Sequence, residues 1–264
     1  MVKPTITVSI IAYNEESNIK RCLDSVSSLV DEIVVVHDGP CSDNTLKIAK
    51  KYTKKVFIQP RIGEAEPHRT FAMEQATSEW VLTLDADEYL SPQLQKNIKS
   101  LVKDNSVDGY EFYWSFYDKG HQITSGPLSK GFRLALFRKA KTVAPKKFHE
   151  WYKVRGNVKR LNLTLEHTVP YDNWQFSGFK RKNWPRARYD ARHRILYGYA
   201  KMPFFFYLIK AMLWFTLLMP YNFVYQKSFL HGSLGLRMAF QVAFYNFLVY
   251  FYIFKYKITK KYPF

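Results

Sequence analysis

The chain has 264 residues, enough to bury a full core as one large domain or as one domain plus an appendage. Its 40 Lys and Arg against 22 Asp and Glu give a net charge of +18, yet residues 1–100 hold 12 basic and 14 acidic side chains, so the whole excess lies in residues 101–264 and points there to an anionic partner. Two cysteines exclude a disulfide framework or a cysteine metal site and suit a reducing cytosol; aromatics at 17%, concentrated late, favour a membrane interface over duplex nucleic acid.

Met1–Pro4 leads directly into a strand, so no signal peptide is expected. Thr5–Ala12 alternates and is rich in β-branched residues, which reads as the first strand. After the polar turn Tyr13–Ser17, Ile19, Cys22, Leu23 and Val26 mark one face of a helix. Glu16 reads as a solvated first-turn acid favoured by the helix dipole. Glu32–Val36 is a second strand, ending in His37-Asp38-Gly39-Pro40, where His37 reads as a loop or core histidine. Ser42 or Asp43 is placed to cap a helix over Thr45–Tyr52. Lys55–Gln59 is a short strand and His68–Ala76 a helix; Arg61 and His68 stay open between donor contacts and ordinary loop residues.

Val81–Leu84 is a buried-type strand that ends abruptly in Asp85-Ala86-Asp87-Glu88. Carboxylates at the carboxyl end of such a strand lie on the rim where open α/β sheets bind ligands. Asp85 and Asp87 share one side if the strand geometry persists, and two close carboxylates repel unless a cation lies between them. Oxygen ligands suit Mg²⁺ or Mn²⁺, ions that also hold a substrate diphosphate. Ser91-Pro92 then opens a helix with Leu94, Ile98, Leu101 and Val102 inward. Strands alternating with helices predict an α/β fold with a mostly parallel, Rossmann-like sheet. No GxGxxG follows the first strand, which argues against a dinucleotide cofactor.

The runs SIIAYNEESNIKRCLDSV, EIVVVHDGPCSDNT and HRTFAMEQATSEWVLTLDADEYLSP resemble, in order and spacing, the family-2 glycosyltransferases of GT-A fold. Within these the chain is similar to the branch typified by the lipopolysaccharide-core glucosyltransferases, which carry LDADE and a later HE. The resemblance implies a nucleotide-sugar donor, UDP-linked before others. Asp38 would then contact the base, and Ala12, Tyr13 and Glu15 would line the base and ribose. Asp85 and Ala86 would touch the ribose and sugar, Asp87 would ligate the metal, and Arg69 would lie near the donor. His37-Asp38-Gly39-Pro40 stands where many members read Asp-Asp-Gly-Ser.

Further along, Val107–Phe116 places Tyr110, Phe112, Trp114 and Phe116 on one face of a strand, and Phe132–Arg138 is another. The loop between them, with Gly120 and Gly126-Pro127, is an expected acceptor-facing flap. In Phe148-His149-Glu150-Trp151, Glu150 is the candidate general base that deprotonates an acceptor hydroxyl in an inverting transfer. The resemblance places the base at the same position; the plain alternative is an ion pair with Lys146 or Lys147. Arg160–His167 reads as a strand on which Leu161, Leu163, Leu165 and His167 share a face and Glu166 points to solvent. His167 is either a core histidine or, as the resemblance allows, a late ligand to the Asp85/Asp87 metal. Residues 180–194 pack seven Lys or Arg and one His into fifteen positions. Lys182, Arg188 and Tyr189 match an element of the resembled branch, and the run would close over the donor diphosphate or hold an anionic acceptor head group.

Pro203–Pro220 and Met238–Phe254 are strongly apolar but interrupted by Lys210, Gln241 and Asn246, which favours helices lying in the interface over a two-helix hairpin. Gly232 and Gly235 read as the turn between them. The expected organisation is a catalytic domain over 1–200 and a membrane-associating segment over 201–264, at the cytoplasmic face of the cell membrane. The expected activity is a metal-dependent, inverting transfer of a sugar to a membrane-linked glycan or lipid acceptor. A polyprenyl-phosphate sugar synthase is the alternative within that class. A non-catalytic membrane scaffold or a basic nucleic-acid-binding protein are the rivals outside it. The neutral front half weighs against nucleic acid. The oligomeric state is left open.

Overall fold

The computed structural model describes residues 4–118, 120–128, 131–145, 150–169 and 174–263. The chain divides into two compact units, residues 1–115 with 131–168, and residues 116–130 with 169–264.

The first unit begins β1 (Ile6–Ala12), α1 (Ile19–Asp24), β2 (Glu32–Asp38), α2 (Thr45–Ala49), β3 (Val56–Gln59), α3 (Ala65–Gln75), β4 (Trp80–Asp85), β5 (Glu88–Leu90) and α4 (Pro92–Leu101). β6 (Gly109–Asp118) then carries the chain from the first unit into the second, where β7 (His121–Ile123) folds back on its last three residues. Back in the first unit come β8 (Phe132–Arg138), β9 (Thr142–Val143), β10 (Lys153–Val154) and β11 (Val158–Thr168). The main sheet has the order β3-β2-β1-β4-β8-β6-β11-β5. β3, β2, β1 and β4 are parallel, β8 runs antiparallel to both its neighbours, and β5 antiparallel to β11. This is the α/β architecture expected, with antiparallel strands added beside β4.

The reason lies in the runs themselves. Every residue of β1 is buried, as are all but the first of β2, so both faces of the sheet are covered and the strands read as continuous apolar runs. Val8, Ile10, Val35, Leu82 and Leu84 pack with Leu23 of α1 and Ile98 of α4 in the largest core. Ser91 caps α4 by accepting the Leu94 amide at 3.2 Å, with Pro92 in the first turn.

Several boundaries depart from expectation. α2 stops at Ala49, with Asn44 rather than Ser42 or Asp43 in the capping position, although Asp43 still accepts the Thr45 amide at 2.8 Å. α3 starts three residues earlier than its apolar pattern suggests. Glu16 precedes α1 and is no helix-dipole acid; it accepts both the Asn44 amide and side chain at 2.9 Å, tying the turn after β1 to that after β2. Glu166 is half-buried and hydrogen-bonded to the Tyr89 hydroxyl, not solvated.

The second unit continues with α5 (Phe176–Gly178), a π turn (Phe179–Asn183), α6 (Trp184–Leu196), α7 (Phe204–Pro220), a second π turn (Tyr221–Tyr225), a 3-10 turn (Ser228–His231) and α8 (Gly232–Thr259). α7 and α8 are joined by Gln226–His231, not by a turn at Gly232 and Gly235, since both glycines lie within α8. Gly235 is there for close approach: a Cβ would meet the Ser228 carbonyl oxygen at 1.7 Å. The loop with Gly126 docks on this turn, its amide donating to the Gln226 carbonyl at 2.7 Å and Ser125 Oγ to that of Lys227 at 2.7 Å.

Candidate functional site

The carboxyl ends of β1, β2 and β4 carry the candidate residues because parallel strands in register end together: Ala12 is paired with His37 across β1–β2, and Ile11 with Asp85 across β1–β4. Ala12 is buried at the end of β1. Tyr13 follows it, exposed, and Asn14 takes the left-handed conformation, with φ 50°. Glu15 serves the next element, its carbonyl accepting the Asn18 and Ile19 amides that open α1. His37 is fully buried, as a core histidine should be; Nδ1 donates to the Gly39 carbonyl at 2.8 Å while Nε2 accepts the Asn14 amide at 3.2 Å.

Asp38 is gripped on all sides. Its Oδ1 accepts the Ile62 amide at 2.8 Å and lies 2.9 Å from His68 Nε2; its Oδ2 accepts the Gly63 amide at 3.1 Å and pairs with Arg61. Burial raises the carboxyl, but the Ile62 amide, His68 and Arg61 together hold it below the usual range. Gly39, at φ +88°, permits this, because a Cβ would come within 2.8 Å of Arg61 Cβ. Arg61 in turn lies over the Tyr13 ring, 3.5 Å from its centroid, so the cation covers one face of the ring and the two form a stacked platform at the sheet edge. Arg61 and His68, open in the sequence, are thus both tied to Asp38.

β4 ends at Asp85, so the strand parity that would aim Asp85 and Asp87 together does not continue; the two carboxylates take separate partners. Both Asp85 oxygens accept from Arg69 Nη2, at 2.5 and 2.8 Å, and Arg69 is buried on α3. Burial raises the Asp85 carboxyl, but Arg69, Arg133 and His167 overcome this and hold it low. Ala86 is buried, its amide donating to the Ile11 carbonyl at 3.0 Å. Asp87 Oδ2 lies 2.9 Å from His167 Nε2, and β5–β11 pairing puts His167 opposite Glu88. Burial lowers the His167 pKa, yet Asp87, Glu88 and Asp85 raise it overall. Among the described residues no three His, Cys, Asp or Glu side chains converge as a ready-made metal cage, and Asp87 with His167 is the donor pair available.

Glu88 and Arg133 join this cluster, and the sequence reading gave neither a role. Glu88 is fully buried, pairs with Arg133, and its Oε2 accepts the Asp85 amide at 2.7 Å. Burial, with Asp85 and Asp87 nearby, raises its carboxyl despite Arg133. The one available signal was an arginine inside the apolar strand Phe132–Arg138. Glu150 is half-buried, and the next residue, Trp151, packs under Arg69 and Arg133, 4.4 and 4.8 Å from its ring centroid. Lys146, Lys147, Phe148 and His149 lie outside the described residues. Lys182, in the π turn before α6, and Arg188, on α6, belong to the second unit. There Lys182 is exposed, whereas Arg188 Nε donates to the Tyr252 hydroxyl at 3.1 Å.

Comparison with known proteins adds the following. The family described as glycosyl transferase family 2 matches residues 7–184. An uncharacterized glycosyltransferase of Rickettsia typhi is 38% identical over 108 residues, 41% of this chain and 36% of its own length, so the match spans little more than a third of that relative. The lipopolysaccharide core biosynthesis glycosyltransferase LpsC of Rhizobium meliloti is 27% identical over 164 residues, 59% of this chain and 60% of LpsC. The crystal structure of S. aureus TarS in complex with UDP-GlcNAc is similar at 20% identity, with a TM-score of 0.48, over 62% of this chain and 58% of that one.

Proposed function

Since the chain belongs to glycosyl transferase family 2, we propose that it transfers a sugar, with inversion, from a UDP-linked donor to a membrane-linked glycan or lipid acceptor in envelope glycan synthesis. The observation that carries this reading is the row of functional groups on one sheet edge: the Tyr13–Arg61 platform beside Asp38, then Asp85 on Arg69, then Asp87 on His167.

The platform accepts the planar base by stacking, while Asp38 fixes the loop that holds Arg61 in place. Asp85, immobilised by a buried arginine, is a preorganised acceptor for donor hydroxyls, with Ala86 leaving room beside it. Asp87 would hold Mg²⁺ or Mn²⁺ through its carboxylate, joined by His167 Nε2 once the imidazole is neutral, the two atoms being 2.9 Å apart. When bound, that ion neutralises the donor diphosphate. Glu150 takes the proton from the acceptor hydroxyl. The hydroxyl oxygen bonds to the anomeric carbon from the face opposite the diphosphate, and the carbon–oxygen bond to phosphate breaks, releasing UDP. The basic run of the second unit, Lys182 and Arg188 included, supplies cations suited to an anionic ligand.

The functional division proposed within the chain is catalytic residues 1–200 and a membrane-associating segment 201–264, at the cytoplasmic face. Two stretches of the second unit, Phe204–Tyr225 and Ser228–Thr259, are long and apolar enough to cross a membrane by length and composition. The exposed apolar side chains of α7 support a second reading, in which the acceptor is a polyprenyl phosphate. A phosphate acceptor needs no base, so retained turnover in Glu150→Gln favours that version.

The test is UDP release by the full chain with Mn²⁺ or Mg²⁺ and membrane lipid extract, across a panel of UDP-sugars. Release from at least one donor, lost on chelation of the metal, is expected. No release from any nucleotide sugar overturns the proposal.

A further inference from the structure

Arg133 is a buried cation to which the reaction scheme gives no task. It lies on β8 between Phe132 and Leu134, with its side chain 4% exposed. A charge so placed adds little to stability that an apolar side chain would not supply. Its contacts run elsewhere. The guanidinium pairs with Glu88, and Nη2 donates to the Thr83 carbonyl at 3.2 Å. Glu88 accepts the amide of Asp85 at 2.7 Å, so the ion pair fixes the backbone that carries the donor carboxylate. The same guanidinium lies 4.8 Å from the Trp151 ring centroid and 5.5 Å from that of Trp114. Trp151 follows Glu150 directly and is pinned by its indole N–H, which donates to the Leu134 carbonyl at 3.0 Å. Trp114 stacks on His167 at 5.5 Å and 18°, and His167 pairs with Asp87.

We infer that Arg133 is a positioning residue that sets the segment carrying Glu150 against the carboxylates Asp85 and Asp87, through Trp151 on one side and through Glu88 and Trp114 on the other. The chemistry explains the residue type. A guanidinium is flat and accepts an aromatic face while its edge binds a carboxylate; an ammonium makes the ion pair but lacks the plane. Base and donor come from segments more than sixty residues apart, and a displacement of about 1 Å between them costs roughly 100-fold in rate. The assignment rests on the reading of Asp85, Asp87 and Glu150 as the reacting machinery.

The test compares Arg133→Lys with the wild type in the full chain, following UDP release from the donor that the wild type uses, UDP binding by calorimetry, and thermal unfolding. Arg133→Lys retains the ion pair to Glu88, so UDP affinity and donor KM stay within about threefold, while kcat falls about 10- to 100-fold. A merely structural residue predicts instead a kcat that follows the folded fraction, and that result overturns the assignment, as does a wild-type kcat. If Arg133→Lys fails to fold, Trp151→Phe serves, losing the indole hydrogen bond to the Leu134 carbonyl and part of the aromatic face that meets Arg133. The same fall in kcat at unchanged KM is expected, and a wild-type kcat overturns the assignment. An active wild type with an equally active variant sinks this inference alone; a wild type that releases UDP from no nucleotide sugar sinks the underlying reading with it.

Discussion

Replacing Asp87 by alanine deprives His167 of its carboxylate partner but leaves Asp85 on Arg69 and Asp38 on Arg61. The expected result is a loss of metal-dependent turnover by a factor of about 100 or more, with UDP affinity measured without metal changed by less than about threefold. Equal loss of both sinks the division of labour between Asp87 and Asp85. Glu150→Gln keeps size and hydrogen bonding but removes the base; with a hydroxyl acceptor, kcat falls about 100- to 10,000-fold while donor KM holds. The places of Asp85, Asp87 and His167 at strand ends were legible in the sequence because carboxylates closing an apolar strand, and a histidine in phase with leucines, carry their signal locally; that β4 stops at Asp85 and sends the two carboxylates to separate partners was not. Nor were Glu88 and Arg133. Each looks ordinary alone, and their meaning comes from a pairing across 45 positions of chain that no periodicity encodes. Arg61 and His68 belong with them, since only the fold shows that both converge on Asp38.

Elements are held by contacts that the same pairing logic sets. Glu32, at the start of β2, joins four segments: its carboxylate accepts from Thr7 Oγ1 at 2.5 Å and from the Thr77 amide at 2.8 Å, and pairs with Lys55. Burial raises this carboxyl, but Lys55, Thr7 and Thr77 bring it from an ordinary 4.5 down to about 2. A carboxylate depressed in this way stabilises the fold above its unfolded value and loses that contribution as pH falls through about 2. Glu32→Gln therefore lowers stability at pH 7 by roughly 1–2 kcal/mol, and the gap to wild type closes between about pH 4.5 and 2 in urea unfolding. A gap independent of pH sinks the assignment. In the second unit, Gly232 and Gly235 invite a direct contrast. Gly232 has φ +55° with ψ −129°, a conformation outside the left-handed helical region, so alanine there costs about 2 kcal/mol of backbone strain although the space around it is open. At Gly235 the Ser228 carbonyl blocks a methyl group, so the turn must shift and the cost rises to about 3 kcal/mol or more. Thermal unfolding of the two variants in detergent should rank them in that order. This explains the misplaced turn in the sequence reading: glycine marks a turn where φ demands it, but Gly235 marks two backbones in contact. The seven longer strands were legible because apolar runs and alternation are local, whereas β5, β7, β9 and β10, of two or three residues each, are too short to show either. Helix ends were less so, since Asn44 occupies the capping position without a side-chain cap.

At the scale of the whole chain, the charge imbalance and the late aromatics were plain in composition, but the division into units was not. Residues 116–130 group with 169–264 although 38 residues of the first unit intervene, and a contiguous reading cannot anticipate that. The second unit gives the imbalance a surface. α7 exposes Phe204, Phe205, Ile209, Leu213 and Leu217 and buries Tyr207 and Ala211, and Lys255, Lys260 and Lys261 are exposed on and just beyond the end of α8. Apolar and cationic side chains together suit an anionic bilayer surface, each lysine contributing up to about 1 kcal/mol there. The full chain should therefore sediment with vesicles containing phosphatidylglycerol, less with pure phosphatidylcholine, and less at high salt. Joint replacement K255E, K260E and K261E should weaken binding to the anionic vesicles without changing UDP release by the enzyme in detergent. Lys210 decides how the segment meets the membrane. It sits midway along α7, exposed, with Nζ 4.7 Å from the Tyr250 ring centroid. A spanning α7 would put that ammonium near the bilayer centre at a cost of about 3 kcal/mol, whereas an interfacial helix leaves it among headgroups. Alkaline carbonate washing separates the two arrangements, because it strips interfacial proteins and spares spanning ones. Release into the wash is the expected outcome, and retention in the membrane pellet would establish the two-helix hairpin instead.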